Sequence, residues 1–140
     1  MKLFLILSKR NLAVVLALCI ILLLVISQAF SGKEKVINGA TNKLRTDYLN
    51  SIGINADDSN AFSKDIIIPV SFDEVYKEYN SLQKKAGFDL SPYKGEAATV
   101  YTYNLSGVED MQIHLIVCKG NIIGGDIASV KLDGEMKPLK

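Results

Sequence analysis

Residues 97–130, AATVYTYNLSGVEDMQIHLIVCKGNIIGGDIASV, carry the pattern that decides the fold. Thr99, Tyr101, Tyr103 and Leu105 fall on one side, with Val100, Thr102 and Asn104 on the other. Met111, Ile113, Leu115 and Val117 then oppose Gln112, His114, Ile116 and Cys118. A period of two is the signature of strands, whose successive side chains point to opposite faces. Lys119-Gly120-Asn121 reads as a turn, and a further strand is expected from about Ile122 to Val130. Partners across a hairpin share a face, so the apolar positions also fix the register. A three-residue turn sets Val117 against Ile123, Leu115 against Gly125 and Ile113 against Ile127, and it brings His114 directly across from Asp126. A two-residue turn would instead put Leu115 or Ile113 opposite Asp126. A bulge at Gly124-Gly125 is the feature able to disturb this frame.

Working outward, Asp89 to Gly95 is a turn-rich link containing Ser91-Pro92. Before it, Ser71 and Glu74 make a capping box, Asp73 and Glu74 favour the positive end of a helix dipole, and Lys84 and Lys85 the negative end. Phe72, Val75, Tyr79, Leu82 and Ala86 mark the inner face of this helix, which Gly87 ends, with Phe88 closing back on Leu82. Lys64 to Val70 reads as a short strand with Ile66, Ile67 and Ile68 buried and Pro69 at its end. Residues 55–63, NADDSNAFS, read as a polar loop. As a calcium loop they fail, because Asn60 and Ile66 stand where Gly and Glu are required. A first helix is expected from Glu34 to Ile52, on the spacing of Ile37, Ala40, Leu44, Tyr48 and Ile52, stopped by Gly53 with Ile54 packing back on Leu49 or Tyr48. The last ten residues read as a turn and a fraying tail. The expected architecture of residues 33–140 is therefore α+β: two helices on a mainly antiparallel sheet of about four strands.

Residues 12–30, LAVVLALCIILLLVISQAF, form 19 residues without a charge, flanked by Lys9 and Arg10 before and by Lys33, Glu34 and Lys35 after. As a helix this run would span roughly the ~30 Å hydrocarbon core. Twelve of its residues are Leu, Ile or Val, and a chain of 140 residues has nothing left with which to bury them on every side. We therefore read residues 1–32 as a basic leader and a transmembrane anchor. The alternative is a signal peptide cut before Phe30, with Ser27 and Ala29 as its small residues; the length of the run and the presence of Gln28 and Phe30 weigh against it. Cys19 follows Leu16, Ala17 and Leu18, which is no lipoprotein site. Basic residues near the two ends nearly balance, and the short basic leader favours an inside N-terminus with the domain extracytoplasmic.

The rest of the composition excludes some functions. All 15 acids and 13 of the 16 basic residues fall in residues 33–140, giving that part a net charge of 13 − 15 = −2. No net positive surface is available for phosphate neutralisation, so a nucleic-acid partner is not expected.

His114 and Asp126 form the candidate site. A carboxylate beside an imidazole raises its basicity and is common in acid and base catalysis. No serine or cysteine is placed by spacing as a nucleophile, however, and a cross-strand ion pair on the outer face of a sheet is ordinary. The pair is assigned a binding rather than a catalytic role. One histidine and one domain cysteine make no closed metal site, and no cofactor is implied. Gly124-Gly125-Asp126 matches a fragment of the signature of cyclic-dinucleotide-making cyclases without the residues that complete it. Asn104-Leu105-Ser106 matches a glycosylation acceptor inside a strand. Cys118 has no partner within the domain, which fits burial, intermolecular pairing or a cytosolic location. Tyr76 and Tyr93 offer a recognition surface if exposed.

Ile68-Pro69 with Phe72, Val75-Tyr76, Tyr79-Asn80, Leu82-Gln83, Gly87-Phe88-Asp89-Leu90, Tyr93-Lys94-Gly95, Tyr101-Thr102-Tyr103 and Ile122-Ile123-Gly124-Gly125-Asp126 with Asp133-Gly134 occur in an order that resembles domain-of-unknown-function family 4830. These are small, mostly Gram-positive bacterial proteins with an N-terminal apolar segment. The resemblance covers about residues 64–136 and implies no activity, cofactor or binding residue. The expectation is a single-pass membrane protein with a non-catalytic binding or interaction module at the cell envelope, its protein or small-molecule partner unknown. The alternatives are a small hydrolase or transferase using His114 and Asp126, and a secreted soluble protein after signal cleavage.

Overall fold

The computed structural model describes residues 13–22 and 36–139. The chain divides into two compact units, Met1–Lys35 and Val36–Lys140. In the first, residues 13–22 are helical (α1) with exposed side chains. The rest of the expected span, the basic leader and the cleavage positions from Ser27 to Phe30 lie outside the described residues. No helix among the described residues is long and apolar enough to cross a membrane.

The second unit is α+β, as expected. Its strands are β1 (Ile37–Asn38), β2 (Ala56–Ile67), β3 (Ala97–Leu105), β4 (Met111–Cys118), β5 (Asn121–Ser129) and β6 (Met136–Pro138); its helices are α2 (Asn42–Ser51) and α3 (Glu74–Lys85), with a 3-10 turn at Ser91–Tyr93. All pairings are antiparallel, in the order β1-β5-β4-β3-β2, with β6 also on β5. Six strands replace the four expected, because β1 and β6 are too short for an alternation to register. The sheet buries both faces. Leu49 and Ile54 pack with Tyr103, Ile113, Leu115, Val117, Ile122 and Leu139 on one. On the other, Ile68 and Leu90 pack with Ala98, Ile116, Cys118 and Ile123 beneath Phe72, Tyr76 and Tyr79. The odd positions of β4 thus serve the α2 side and the even positions the α3 side, as a period of two requires.

The hairpin at the centre reaches the expected pairing by another route. Its turn has two residues, Lys119 (φ 49°) and Gly120 (φ 78°), the two positive angles that a tight hairpin twisted like its strands demands. Val117 therefore pairs with Ile122, not Ile123, and the register slips by one between Ile116/Gly124 and Val117/Ile122. Ile123 is the extra residue. This bulge restores parity, so that Leu115 meets Gly125, Ile113 meets Ile127 and His114 meets Asp126.

Elsewhere the chain departs from the sequence reading. The helix expected from Glu34 begins only after Thr41, whose hydroxyl accepts the Leu44 N–H at 3.3 Å. Gly39 breaks it: its N–H donates to Gly120 O at 2.9 Å, and a Cβ there would lie 2.5 Å from Ile122 Cγ1. At the other end Gly53 takes φ +82° and Ile54 packs back on Leu49 as expected. Residues 55–63 are largely strand rather than loop, for β2 starts at Ala56 and loops out residues 58–61 between the pairs Asp57/Asn104 and Phe62/Thr102. Ile67 is 71% exposed, alternating with buried Ile68, so the three isoleucines do not all enter the core. Helix α3 is capped by Asp73, whose carboxylate accepts the Tyr76 N–H at 2.8 Å, and not by Ser71. Val75, expected on the inner face, is exposed to solvent, and Asn80 and Gln83 are buried. Where a fraying tail is expected, β6 pairs with β5, and Leu139 is buried in the core.

Candidate functional site

Asp126 is 2% exposed. Its Oδ1 lies 2.8 Å from His114 Nδ1 on β4, and its Oδ2 accepts the Tyr79 hydroxyl proton at 2.7 Å from α3. The register thus joins the two residues singled out in the sequence. What overturns the reading of a surface pair is α3, which closes over the carboxylate. Burial first, then the charge and hydrogen bond of Asp126, push the Tyr79 phenol far above its ordinary range, so Tyr79 remains a donor across physiological pH. His114 keeps 26% of its side chain exposed, and among the described residues its Nε2 has no hydrogen-bond partner. An imidazole oriented by a carboxylate on one nitrogen and open on the other can take up a proton or donate to a bound group. Cys118 shares the face but sits four residues along β4, roughly 13 Å away at ~3.3 Å per residue, and is buried.

Beside this network β5 has a gap in its edge. β1 covers Asn121 and Ile122, and β6 covers Asp126 to Ala128. Gln83 fills the interval, its Oε1 accepting the Gly125 N–H at 2.7 Å. The close approach accounts for the glycine pair: a Cβ on Gly124 would lie 2.9 Å from Gln83 Oε1, and one on Gly125 would lie 2.5 Å from His114 O and 2.6 Å from Leu139 Cδ1. Gln83 Nε2 is buried without a partner. Asn80 locks the following link, donating to Asp89 Oδ1 and Ser91 Oγ and accepting the Leu90 N–H at 2.8 Å. Tyr76 and Tyr93 pack against the second core instead of forming a free surface. Among the described residues no group of three or more His, Cys, Asp or Glu side chains is placed to hold a metal ion.

The opposite face carries a polar site that the sequence reading passed over. Arg45 on α2 is 6% exposed. Its Nε donates to Tyr103 Oη at 2.8 Å, its Nη1 donates to Gly39 O at 2.7 Å, and its guanidinium carbon stands 3.5 Å from the centre of the Tyr101 ring. Tyr103 in turn donates to Asn42 Oδ1, and Asn42 Nδ2 donates to Asp58 Oδ2 at 2.8 Å. These residues line a cleft of about 290 Å³ with Ala61, Phe62 and Ser63. In sequence Arg45 is one more charge on an amphipathic helix; only the long-range pairing of Tyr103 with it betrays burial.

The fold and its sites define a small antiparallel α+β domain, covered on both faces, with a Tyr-Asp-His network beneath one helix. Residues 54–127 match the family described as Domain of unknown function (DUF4830). The matched stretch is more than half of the chain, and the chain belongs to this family. It includes Tyr79, His114 and Asp126 and leaves out Arg45 and β6. No curated protein and no solved structure matches the chain.

Proposed function

We propose that the protein is a membrane-tethered module whose domain faces away from the cytoplasm and acts by binding rather than by catalysis. The observation that carries this reading is an uncharged run of 19 residues joined to a separately packed unit, Val36–Lys140. Tethering raises the effective concentration of the domain near partners at the same surface. The saturated carboxylate of Asp126 supports a positioning role, since both of its oxygens are already engaged. Protease treatment of intact cells carrying a C-terminal tag tests the reading. Loss of the membrane-bound tag supports it. A tag protected until lysis places the domain inside and overturns the topology, and a tag in the medium shows that the anchor is cleaved.

A second reading, a small hydrolase or transferase, is favoured by one feature: the open Nε2 of His114, with Nδ1 held on Asp126. Turnover of simple ester or phosphoester substrates that disappears in His114→Ala, with a rate following the protonation of a single group, would establish it. Equal turnover by wild type and His114→Ala dismisses it.

A further inference from the structure

We propose that the cleft between α2 and the looped-out residues of β2 binds a small α-amino carboxylate, with its carboxylate on Arg45 and its ammonium on Asp58. Arg45 is a buried cation with no carboxylate within 4 Å among the described residues. Burying a charge is costly unless it is paired, yet only neutral groups hold this one, the Tyr103 hydroxyl, the Gly39 carbonyl and the Tyr101 ring. Among the described residues the hydrogen bonds of Arg45 are made by Nε and Nη1, which leaves Nη2 without an acceptor there, and Arg45 lines the cleft. Asp58, on the other wall, is likewise held by a neutral group, the Asn42 amide, through Oδ2 alone.

The two opposite charges therefore line one cavity without neutralising each other. A simple anion would meet Asp58, and a simple cation would meet Arg45. A zwitterion satisfies both, and Tyr101, Tyr103 and Phe62 supply apolar walls for its side chain. The planar guanidinium, already fixed through two of its nitrogens, loses little freedom on binding a carboxylate. This site lies on the α2 face, away from His114, and its occupancy does not depend on which side of a membrane the domain faces. The failure of either proposal is thus read separately.

The test uses the full chain in detergent micelles. The common L-amino acids are first screened in millimolar excess for a rise in the thermal midpoint, since a ligand that binds only the folded state stabilises it. The best binder is then compared by calorimetry with its desamino and its decarboxylated analogues. Each analogue is expected to bind about tenfold more weakly or worse, as the loss of one charge-assisted contact implies. Asp58→Asn should reduce the amino acid to the level of the desamino analogue, and Arg45→Gln should remove the preference for a carboxylate. Arg45 is buried, so a variant that fails to fold leaves Asp58→Asn and the analogue series to decide. No stabilisation by any amino acid overturns the proposal. So does a desamino analogue that binds as tightly as its parent.

Discussion

The Tyr79 hydroxyl donates to Asp126 Oδ2 across 2.7 Å and so pins α3 to the strand at the centre of the candidate site. Removing that hydroxyl with Tyr79→Phe leaves one carboxylate oxygen unpartnered at a buried position. The expected loss is about 1–3 kcal/mol of folding stability, measured by urea unfolding at neutral pH. The same bond has a pH signature. Tyr79 has a folded pKa raised above the ordinary 10.0, so its contribution is fully present below pH 10 and is lost as pH climbs above it. Tyr48 and Tyr76, also raised by burial, share that alkaline slope. The difference in slope between wild type and Tyr79→Phe isolates the part belonging to Tyr79, set by its burial first and by Asp126 second, and identical slopes would contradict it.

Asp89 acts in the opposite direction and at the other end of the scale. Burial works against its charge, but hydrogen bonds from the Asn80 amide and from the Ser91 N–H and hydroxyl, with Lys84 nearby, hold its carboxyl at about 2 against an ordinary 3.8. Its contribution is present above pH 3.8 and fades as pH falls towards 2. Stability measured against pH across that window should decline more gently in Asp89→Ala than in wild type. Parallel curves would show that the link from α3 to the 3-10 turn is not held by this carboxylate.

Much of this was open to the eye in the bare sequence, and the boundary has physical reasons. The alternation through Tyr101, Tyr103, Ile113 and Leu115 exposed the central strands, and face-sharing across the hairpin was enough to pair His114 with Asp126 even with the wrong turn length. Periodicity could not reveal β1 and β6, which hold two and three residues and gain their order from β5. The burial of Asn80, Gln83 and Arg45 is hidden in the sequence for a different reason. A polar side chain is read as solvated, and these three are buried because partners distant in the sequence, Leu90, Gly125 and Tyr103, satisfy them.

Leu139 and Gly125 should prove energetically coupled. Leu139→Ala, at a buried position in the tail, is expected to cost about 2–5 kcal/mol. Gly125→Ala forces a Cβ to within 2.6 Å of Leu139 Cδ1 and 2.5 Å of the His114 carbonyl oxygen, and should cost about 1–3 kcal/mol or more. Together they should cost less than their sum, because the smaller residue at 139 relieves one of the two collisions. Chemical denaturation of the four proteins of this cycle measures the coupling, and strict additivity would deny the contact.

Deleting Ile123 removes the bulge while keeping the two-residue turn. Because Ile123 is the extra residue, the pairs beyond it, Ile116 with Gly124, Leu115 with Gly125 and His114 with Asp126, stay in register, and what is lost is the burial of the Ile123 side chain. The deletion should keep cooperative thermal unfolding, followed by circular dichroism, with a midpoint lowered by the loss of one buried isoleucine. Loss of the cooperative transition would mean that the bulge itself, and not the pairing on either side of it, holds the frame of β5.

One edge of the sheet is closed by β1, β6 and Gln83, and the other is β2. Residues 58–61 interrupt its ladder, and exposed Asp57, Lys64 and Asp65 flank the interruption. A second chain seeking to extend the sheet there would meet an unbroken run only over Phe62–Ile67 and would have to desolvate Lys64 and Asp65 along it. Close-packed copies of this domain would thereby be hindered from knitting into a shared β-structure.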